Sequence, residues 1–572
     1  MVVHARRGGA LLRRGAADRH GLQPPVRPAH PARRVHRGHR HRPVLECRRL
    51  ARAARPAVPA STLVSVSRRG FLGLAGGLGA ALALPGCAAL VREVQTGELL
   101  RSTAKLPRPF SVPLPIPPVA TRSRRTSDID FYDITARETE AEILPGVRTR
   151  ILGYDGIFPG PTIVSRRGRR TVVRHANELT VPMVVHLHGG HTPPESDGFP
   201  VDLVFPRGYE SPESGHDGRI ARGSRQYSYP MRQRAATLWY HDHRMDFTGP
   251  QVYRGLAGFH LVHDDEEDAL PLPKGDHDVP LMICDRAFDE DGTFLYPSLD
   301  PALRTRRGVA NAYMEGVLGD VVLVNGAPWP EMEVTATRYR FRILNASNAR
   351  RYRLALTPKP GSGSPFVQVG SDGGLLAAPH ELGTVPIAPA ERFDVVIDFS
   401  AYPVGSTVTL TNELGDAEGT TQVMRFRVTR KEKDDSRVPA KLSEFEVLRP
   451  EQAKVERRFR FGRDDLSQHQ MWTINGRLFD PARMDARPRL GQVERWRFVT
   501  DLHHPVHLHL DSFQVQRDAD NDNGWKDTVD VRPGEVVDVL VRFTDYAGAY
   551  VFHCHNLEHE DMAMMAAFET VA

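Results

Sequence analysis

Apolar and polar residues alternate in short runs along most of the chain, and turns rich in Pro, Gly and Asp separate the runs. In residues 537–543, for example, every second side chain is apolar. A period of two predicts a strand with one buried face. Many short strands separated by turns are typical of sandwiches and barrels, so the sequence predicts an all-β protein without βαβ units.

Two charged linkers divide this pattern. One lies at residues 263–268 and the other at 430–435, and both combine several acids with few apolar residues. Such composition favours exposed connections between domains. We therefore predict three parts with boundaries at residues 105–268, 269–432 and 433–572.

The three parts repeat one another. Residues 238–243 and residues 550–555 both end a strand-like run in His-x-His. Residues 322–326 and residues 472–476 both end such a run in Asn-Gly. Repetition on this scale predicts three copies of one β-sandwich.

The first 92 residues differ from this body. Residues 1–60 contain 15 Arg, two acids and no Lys. They lack strand or helix periodicity, so we interpret them as a spuriously translated or unstructured leader, with the true start near Val64 or Val66. Residues 61–92 contain Ser-Arg-Arg-Gly-Phe-Leu and then an apolar run too short to span a bilayer, which is typical of a twin-arginine export signal.

The export signal ends at Cys87 in a sequence that resembles a lipoprotein cleavage box. A lipid anchor at Cys87 and an ordinary cleavage both stay open at this point. In either case we expect a periplasmic, cell-surface or secreted protein, and a monomer.

Charge and cysteine content argue against nucleic-acid binding and against a fold held together by disulfides. Without the leader's 13 excess positive charges, the formal charge of +6 becomes −7, so the body has no electrostatic footprint for nucleic acid. Cys47 and Cys87 lie in the leader and signal, which leaves Cys284 and Cys554 and no disulfide framework. The run around Cys284 is apolar, so we expect a small core residue there.

Histidines are concentrated at four places in the sequence. Ten of the 19 histidines outside the leader fall into tight clusters, and the middle part contains only His277 and His380. The clusters are His186/His188, His241/His243, His504/His507/His509 and His553/His555/His559. A single His-x-His is weak evidence, since surface or core histidines give the same pattern. Four clusters with an embedded cysteine predict metal binding.

One strand is expected to serve two metal sites. Residues two apart in a strand point to one face and the residue between them points to the other. His553 and His555 therefore face one cluster, while Cys554 faces a second site on the order of 10 Å away. Asp242 takes the place of Cys554 in the first part, so that part offers imidazoles but no thiolate.

The second site has the ligand set of a blue-copper electron-transfer centre, namely a thiolate, two imidazoles and a thioether. These ligands are His504, Cys554, His559 and Met564. Zinc accepts similar ligands, but it has no redox role and gives no reason to join two sites through one strand. We therefore expect copper.

The metal-binding motifs together resemble those of the multicopper oxidases. They are His-x-His-Gly, His-x-His, His-Pro-x-His-x-His and His-Cys-His-x-x-x-His-x-x-x-x-Met. Within the family, the bacterial spore-coat laccase and bilirubin oxidase branch is most similar, on residues 186–190, 254–259, 370–376, 388–394 and 557–561. The resemblance runs from about residue 105 to the C-terminus and implies three cupredoxin-like Greek-key β-sandwiches.

The resemblance also implies four copper ions: one type 1 (blue), one type 2 and a type 3 pair. It assigns His186 and His507 to the type 2 copper. It assigns six histidines to the type 3 pair: His188, His241, His243, His509, His553 and His555. It implies that Asp197 and Glu560 assist proton delivery, although a solvated loop acid and a helix-start acid would give the same sequence. Two neighbouring histidines match no ligand position: His191 and His503.

An activity follows from the resemblance. We expect one-electron oxidation of phenols, aminophenols or aromatic amines, coupled to four-electron reduction of dioxygen to water. Oxidation of cuprous, ferrous or manganous ions is an alternative, although the 13 Met form no methionine-rich insertion of the kind a dedicated cuprous oxidase would favour. A copper-binding protein of the same fold without oxidase activity is a further alternative, against which the complete ligand set argues.

Overall fold

The computed structural model describes residues 95–209, 218–466, 469–517, 519 and 522–572. The predicted leader, the predicted export signal and Cys87 lie outside these residues. Over the described residues most of the regular secondary structure is strand and little is helix, which confirms the all-β prediction. No helix in this part of the chain is both long and apolar enough to cross a membrane.

In the described residues before 270 the chain forms twelve strands and two short helices. The strands are β1 (Glu98–Leu100), β2 (Arg122–Arg125), β3 (Ile129–Ala141), β4 (Thr149–Tyr154), β5 (Gly160–Arg166), β6 (Arg170–Asn177), β7 (Val185–His188), β8 (Val204–Phe205), β9 (Ala221–Arg222), β10 (Ser224–Tyr229), β11 (Ala236–Asp242) and β12 (Ala257–His263). The helices are α1 (Thr248–Tyr253) and α2 (Asp265–Ala269). A five-stranded sheet containing β10-β6-β3-β2 packs against the four-stranded sheet β5-β12-β11-β7.

The middle of the chain forms a second, larger sandwich. Its strands are β13 (Asp278–Phe288), β14 (Phe294–Leu295), β15 (Val317–Gly319), β16 (Val321–Val324), β17 (Ala327–Pro328), β18 (Glu331–Val334), β19 (Arg338–Asn345), β20 (Tyr352–Thr357), β21 (Phe366–Ser371), β22 (Gly374–Leu382), β23 (Val385–Ile387), β24 (Arg392–Asp398), β25 (Thr407–Asn412) and β26 (Gln422–Val428), with helix α3 (Glu418–Thr421). An eight-stranded sheet around β13, β19 and β24 packs on the five-stranded sheet β18-β26-β25-β20-β23. Cys284 lies in this core and is 1% exposed, as the sequence predicted.

The last part repeats the arrangement. Its elements are β27 (Val455–Leu466), β28 (His469–Ile474), β29 (Met484–Ala486), β30 (Val493–Thr500), β31 (His504–Leu508), β32 (Phe513–Val515), β33 (Thr528–Val531), β34 (Val536–Arg542), β35 (Gly548–Cys554), helix α4 (Leu557–Asp561) and β36 (Met565–Thr570). The sheets β28-β27-β30-β34-β32 and β29-β36-β35-β31-β33 face each other. Aromatic side chains fill the space between them, and the rings of Phe459 and Phe552 are 4.5 Å apart.

The first predicted linker differs from a simple solvated connection. Residues 265–269 form helix α2, and the Asp264 side chain caps it by accepting from the Glu267 N–H at 2.8 Å. Glu267 is 4% exposed, and Arg340 and Arg342 donate to it at 2.7 and 3.0 Å. A buried acid needs such partners, so this charged stretch docks against the middle part. The boundaries of the three parts stay predictions.

Candidate metal centre

The histidines of the first and last parts lie on two equivalent strand pairs. In the first part β7 pairs with β11, and His186 lies opposite His241. In the last part β31 pairs with β35, and His507 lies opposite His553. Opposite side chains in an antiparallel pair are neighbours. The two pairs come together through their histidines, and the rings of His188 and His507 stack with centroids 3.6 Å apart.

Eight buried imidazoles form three groups where the two strand pairs meet. His186 and His507 direct their Nε2 atoms at each other across 3.4 Å. In the second group, Nε2 of His553 lies 3.2 Å from Nε2 of His243 and 3.4 Å from Nε2 of His509. The third group contains His188, His241 and His555, whose ring centroids are 5.1 to 5.7 Å apart. The structure thus brings together all eight histidines that the resemblance assigns to the type 2 and type 3 coppers.

Hydrogen bonds fix the outward-facing nitrogens of these rings. Four Nδ1–H groups donate to backbone carbonyl oxygens: His186 to Asp197 at 2.6 Å, His241 to Asp242 at 2.8 Å, His507 to Asp527 at 2.8 Å and His553 to Cys554 at 3.0 Å. A proton held at Nδ1 leaves the lone pair on Nε2, which faces the other imidazoles. Hydrogen bonds of this kind orient metal-binding histidines.

In the third group, several ring nitrogens lack hydrogen-bond partners. Among the described residues these include His188 Nδ1, His241 Nε2 and both ring nitrogens of His555. Burial lowers the pKa of all three imidazoles, so their lone pairs are free to bind a cation. A buried acceptor without a partner costs free energy unless something binds it. Converging imidazoles therefore fit copper in all three groups.

A separate cluster forms around the thiol of Cys554. The Sγ atom lies 3.3 Å from Nδ1 of His504 and 3.6 Å from Nδ1 of His559, and the two nitrogens are 3.1 Å apart. Burial raises the pKa of the Cys554 thiol well above its ordinary value, so a bound cation is needed to hold the thiolate. One thiolate and two imidazoles at these separations fit a blue-copper site.

The backbone around Met564 closes this cluster. The Met564 N–H donates to the His559 carbonyl oxygen at 3.0 Å, and its own carbonyl oxygen accepts from the Cys554 N–H at 3.1 Å. The Met564 side chain is fully buried in the same apolar core as Cys554. Met562 belongs to the same core and is 8% exposed, whereas Met565 packs in a different cluster with Val551. Met564 as the axial ligand stays a prediction.

Asp242 occupies the position in the first part that Cys554 holds in the last. Its carboxylate accepts from the N–H groups of Val184 and Arg244 at 3.0 and 3.1 Å, and from Gln251 Nε2 at 2.6 Å. Burial raises its pKa to about 7 although these donors lower it. These hydrogen bonds occupy the carboxylate of Asp242. The first part therefore has a polar network at the position where the last part has the thiol.

Asp197 is not a solvated loop acid, since it is 1% exposed. Its Oδ2 accepts from the His509 Nδ1–H at 2.8 Å, and its carbonyl oxygen holds His186. Burial raises the pKa of this carboxyl well above its ordinary value. Asp197 therefore contacts a ligand of each predicted copper type in the cluster.

Glu560 lies in helix α4 and is also 1% exposed. Its Oε2 lies 3.1 Å from Nδ1 of His553, and its Oε1 lies 3.5 Å from Nδ1 of His243. Burial acts to raise its pKa, but the two imidazoles bring it down to about 2. Both acids thus touch the cluster, and their part in proton delivery stays a prediction.

The two histidines without a predicted ligand role lie outside the clusters. The ring of His191 lies between the carboxylates of Asp511 and Asp545, at 3.0 and 3.1 Å. Burial acts to lower its pKa, but these acids raise it to about 9. His503 lies 3.4 Å from Asp530.

Three further residues at the site carried no recognisable motif. The Asp527 carboxylate accepts from the His188 Nε2–H at 3.0 Å. The Asp501 carboxylate accepts from the His504 Nε2–H at 3.0 Å. Trp472 stacks on the His559 ring at 3.8 Å. Asp501 lies three residues before His504. This closeness to a predicted ligand was the only feature of the sequence that could have indicated any of the three residues.

Comparisons with known proteins agree with this geometry. Two multicopper oxidase family models match, one at residues 135–267 and the other at residues 452–572. A laccase from Bacillus subtilis is 36% identical over 79% of this chain and 96% of its own length. A bilirubin oxidase from Albifimbria verrucaria is 36% identical over 83% of this chain and 84% of its own length.

Solved structures give the same result. A multi-copper oxidase from Pediococcus acidilactici superposes with a TM-score of 0.70 and 31% identity, covering 83% of this chain and 93% of its own. The McoA multicopper oxidase from Aquifex aeolicus gives a TM-score of 0.67 at 32% identity, over 83% and 100% of the two chains.

Fold and site thus define a copper protein of three cupredoxin-like β-sandwiches. The chain belongs to the multicopper oxidases, which confirms the resemblance to the laccase and bilirubin oxidase branch. It is accordingly a copper-binding oxidoreductase that uses dioxygen.

Proposed function

We propose that this protein is a laccase-like oxidase. It takes single electrons from phenols, aminophenols or aromatic amines and uses four of them to reduce dioxygen to water. The observation that carries the proposal is strand β35, which directs Cys554 into one cluster while its neighbours His553 and His555 enter two others. Covalent bonds therefore connect the electron-accepting site to the oxygen-reducing site.

Four copper ions are proposed, and they supply the one-electron redox chemistry and the binding of dioxygen. The chain would hold the type 1 copper with His504, Cys554, His559 and Met564. It would hold the type 2 copper with His186 and His507. It would hold the type 3 pair with His188, His241, His555 and with His243, His509, His553. Its own contribution is to orient the imidazoles through the outer hydrogen bonds described above and to bury the clusters.

The donor is proposed to approach at Asp501. This carboxylate is 38% exposed and binds the outer nitrogen of His504. Burial acts to raise its pKa, but His504 and the Arg463 N–H hold it below its ordinary value. An anion beside a copper ligand can accept a hydrogen bond from a phenolic O–H or an amine N–H. The names of the laccase and bilirubin oxidase relatives support this substrate class.

Oxidation of cuprous, ferrous or manganous ions is the second candidate. Glu315 places its backbone carbonyl oxygen 3.2 Å from Nε2 of His559, and its side chain is 44% exposed. Together with Asp501 it brings a second carboxylate to the same rim, which would suit a metal cation. Glu315 is partly neutralised by Arg463 at 2.8 Å, which weakens this candidate.

Steady-state turnover of the copper-loaded protein with phenols, bilirubin, cuprous and ferrous ions side by side tests both candidates. We expect aromatic donors to give the highest kcat/KM. A preference for metal ions would move the assignment to a metal-ion oxidase. No turnover with any donor at full copper content would favour a copper-binding protein without oxidase activity.

For localisation we propose twin-arginine export to the periplasm or cell surface, supported by the sequence at residues 67–72 alone. Replacing Arg68 and Arg69 by Lys should leave the protein in the cytoplasm, as fractionation would reveal. Labelling with a radioactive fatty acid that disappears in Cys87→Ser would establish the lipid anchor. Normal export of the Lys variant would rule out the signal.

A further inference from the structure

Five buried charged side chains lie where the middle part meets the copper cluster. They are Asp372, Glu391, Arg392, Lys526 and Asp527, and each is 2% exposed or less. The first three belong to the middle sandwich and the last two precede strand β33. Buried charges at this density are costly unless every one is paired.

The N–H groups of Arg392 all form hydrogen bonds, and their acceptors come from all three parts of the chain. Its Nε–H donates to the Thr237 carbonyl oxygen at 2.9 Å, on the strand that carries His241. Its Nη1 donates to the Ala390 carbonyl oxygen at 3.0 Å, and both terminal nitrogens donate to the Asp527 carboxylate, Nη1 at 2.7 Å. A two-pronged guanidinium–carboxylate pair fixes the orientation of both partners.

Asp527 connects this guanidinium to two of the predicted copper ligands. Its carboxylate accepts from the His188 Nε2–H at 3.0 Å, which leaves His188 Nδ1 facing the cluster. Its backbone carbonyl oxygen accepts from the His507 Nδ1–H at 2.8 Å, which leaves Nε2 facing His186. One aspartate thus sets the rotation of a type 3 and a type 2 ligand.

The glycine of the His-x-His-Gly motif makes room for this pair. Gly189 has a φ of +81°, which L side chains rarely adopt. A Cβ placed there would lie 2.7 Å from Arg392 Nη2 and 2.8 Å from Asp527 Oδ2. The motif therefore needs glycine next to His188 because the ion pair packs against the backbone at that point.

We propose that Arg392 is a positioning residue for the copper cluster: by fixing Asp527 it orients His188 and His507. The middle part contributes no histidine to the clusters, so this contact gives it a share in the geometry of the site. The inference rests on the proposed use of His188 and His507 as copper ligands.

The principal variant is Arg392→Met, which keeps an unbranched apolar stem and removes every donor. Loss of hydrogen bonds behind metal ligands typically weakens metal affinity by about 10- to 100-fold. We expect a loss of that size for the type 2 and type 3 coppers, measured as copper retained against a competing chelator. The type 2 electron paramagnetic resonance signal should change, while the thiolate-to-copper absorption of the Cys554 site should not. Arg392→Lys should recover part of the affinity.

A matched control separates positioning from general destabilisation. Arg350 is an equally buried arginine of the middle part, and its Nε donates to Asp285 at 2.8 Å. Arg350→Met also leaves a buried carboxylate without its partner, but the Arg350–Asp285 pair holds no copper-binding histidine. It should lower stability without altering the type 2 signal. Equal copper loss in the Arg350 and Arg392 variants would overturn the proposal, as would an unchanged type 2 signal in Arg392→Met.

If Arg392→Met does not fold, Asp527→Asn tests the positioning contact instead. It preserves shape and leaves the backbone contact to His507 intact, so type 3 copper should be lost before type 2 copper. Unchanged affinity for both would overturn the proposal. His188→Ala is the reference for the ligand assignment, because normal copper content in that variant would refute the proposed ligand set and not the role of Arg392 alone.

Discussion

At the scale of single residues, both the proposed oxidation of substrate and the proposed reduction of dioxygen depend on Cys554. It is fully buried, and its thiol lies within 3.6 Å of two imidazole nitrogens. A hydroxyl of nearly the same size cannot supply a thiolate, so the effect of Cys554→Ser is chemical and not steric.

Cys554→Ser should abolish the thiolate-to-copper absorption and lower turnover by more than about 100-fold, beyond the usual effect of losing an outer hydrogen bond. The eight histidines of the other groups remain, so copper analysis should fall by about one ion. Cys284→Ser is the control, since Cys284 is buried in the middle core. Blue colour that survives in Cys554→Ser would refute the ligand assignment.

Met564→Leu should raise the reduction potential of the blue site while copper stays bound, because a weak thioether bond stabilises Cu(II) over Cu(I). Redox titration measures the shift. Met562→Leu and Met565→Leu are matched controls with the same change of side chain and should leave the potential nearly unchanged. A shift in either control without one in Met564→Leu would move the axial assignment.

At the scale of elements, helix α4 holds two buried glutamates with different surroundings. Glu560 contacts His553 and His243, whereas Glu558 accepts from Tyr296 and Asn348 at 2.8 Å. On this one short helix Glu560 thus contacts the histidine cluster, whereas Glu558 contacts the middle part. This difference provides a control for the proton-delivery role.

Glu560→Gln and Asp197→Asn should slow reoxidation by dioxygen by about 10²- to 10⁴-fold if these acids transfer protons. Anaerobic bleaching of the blue copper by substrate should keep its normal rate. Stopped-flow absorption measures both phases. Glu558→Gln should leave reoxidation fast even if it lowers stability. Fast reoxidation in all the variants would reduce Asp197 and Glu560 to structural roles.

The loops around His191 give a pH-dependent contribution to stability. Its pKa rises from 6.5 to about 9 because Asp511 and Asp545 flank the ring. A histidine whose pKa is raised in the folded state stabilises that state fully below about pH 6.5. This stabilisation is lost as the pH rises through about 9. Asp545 is 42% exposed, so screening reduces the contribution to about 1–2 kcal/mol.

His191→Gln should therefore destabilise the protein at about pH 6 and have little effect near pH 10, as urea denaturation would measure. His277→Gln is the comparison, because the ring of His277 packs on Tyr339 in the middle part. An equal loss of stability at both pH values would contradict the charged-histidine explanation.

At the scale of the whole molecule, the cluster joins the first and last sandwiches, since each contributes four of the eight imidazoles. Binding to the folded state alone stabilises it by about 2.7 kcal/mol when free ligand is 100-fold above Kd. Removing copper should therefore lower the apparent Tm by several degrees in calorimetry. His507→Ala should lose most of this copper effect and Cys554→Ser should keep most of it. The reverse order would place the stabilising copper at the blue site.

Sequence alone determined the strands, their repetition and the separation of the two metal sites. The reason is that a period of two sets the face of every side chain along a strand, so His553, Cys554 and His555 could be sorted before any tertiary contact was known. The resemblance then supplied a role for each ligand, and the structure groups the histidines accordingly.

Tertiary structure decided what holds those ligands in place. Arg392 and Asp527 are 135 positions apart, and Asp527 and His188 are 339 positions apart. Periodicity within a strand carries no information about partners at such distances, and a single aspartate or arginine has no distinctive pattern. Only the packing of three sandwiches brings the guanidinium of the middle part, the carboxylate of the last and the imidazole of the first within hydrogen-bonding distance.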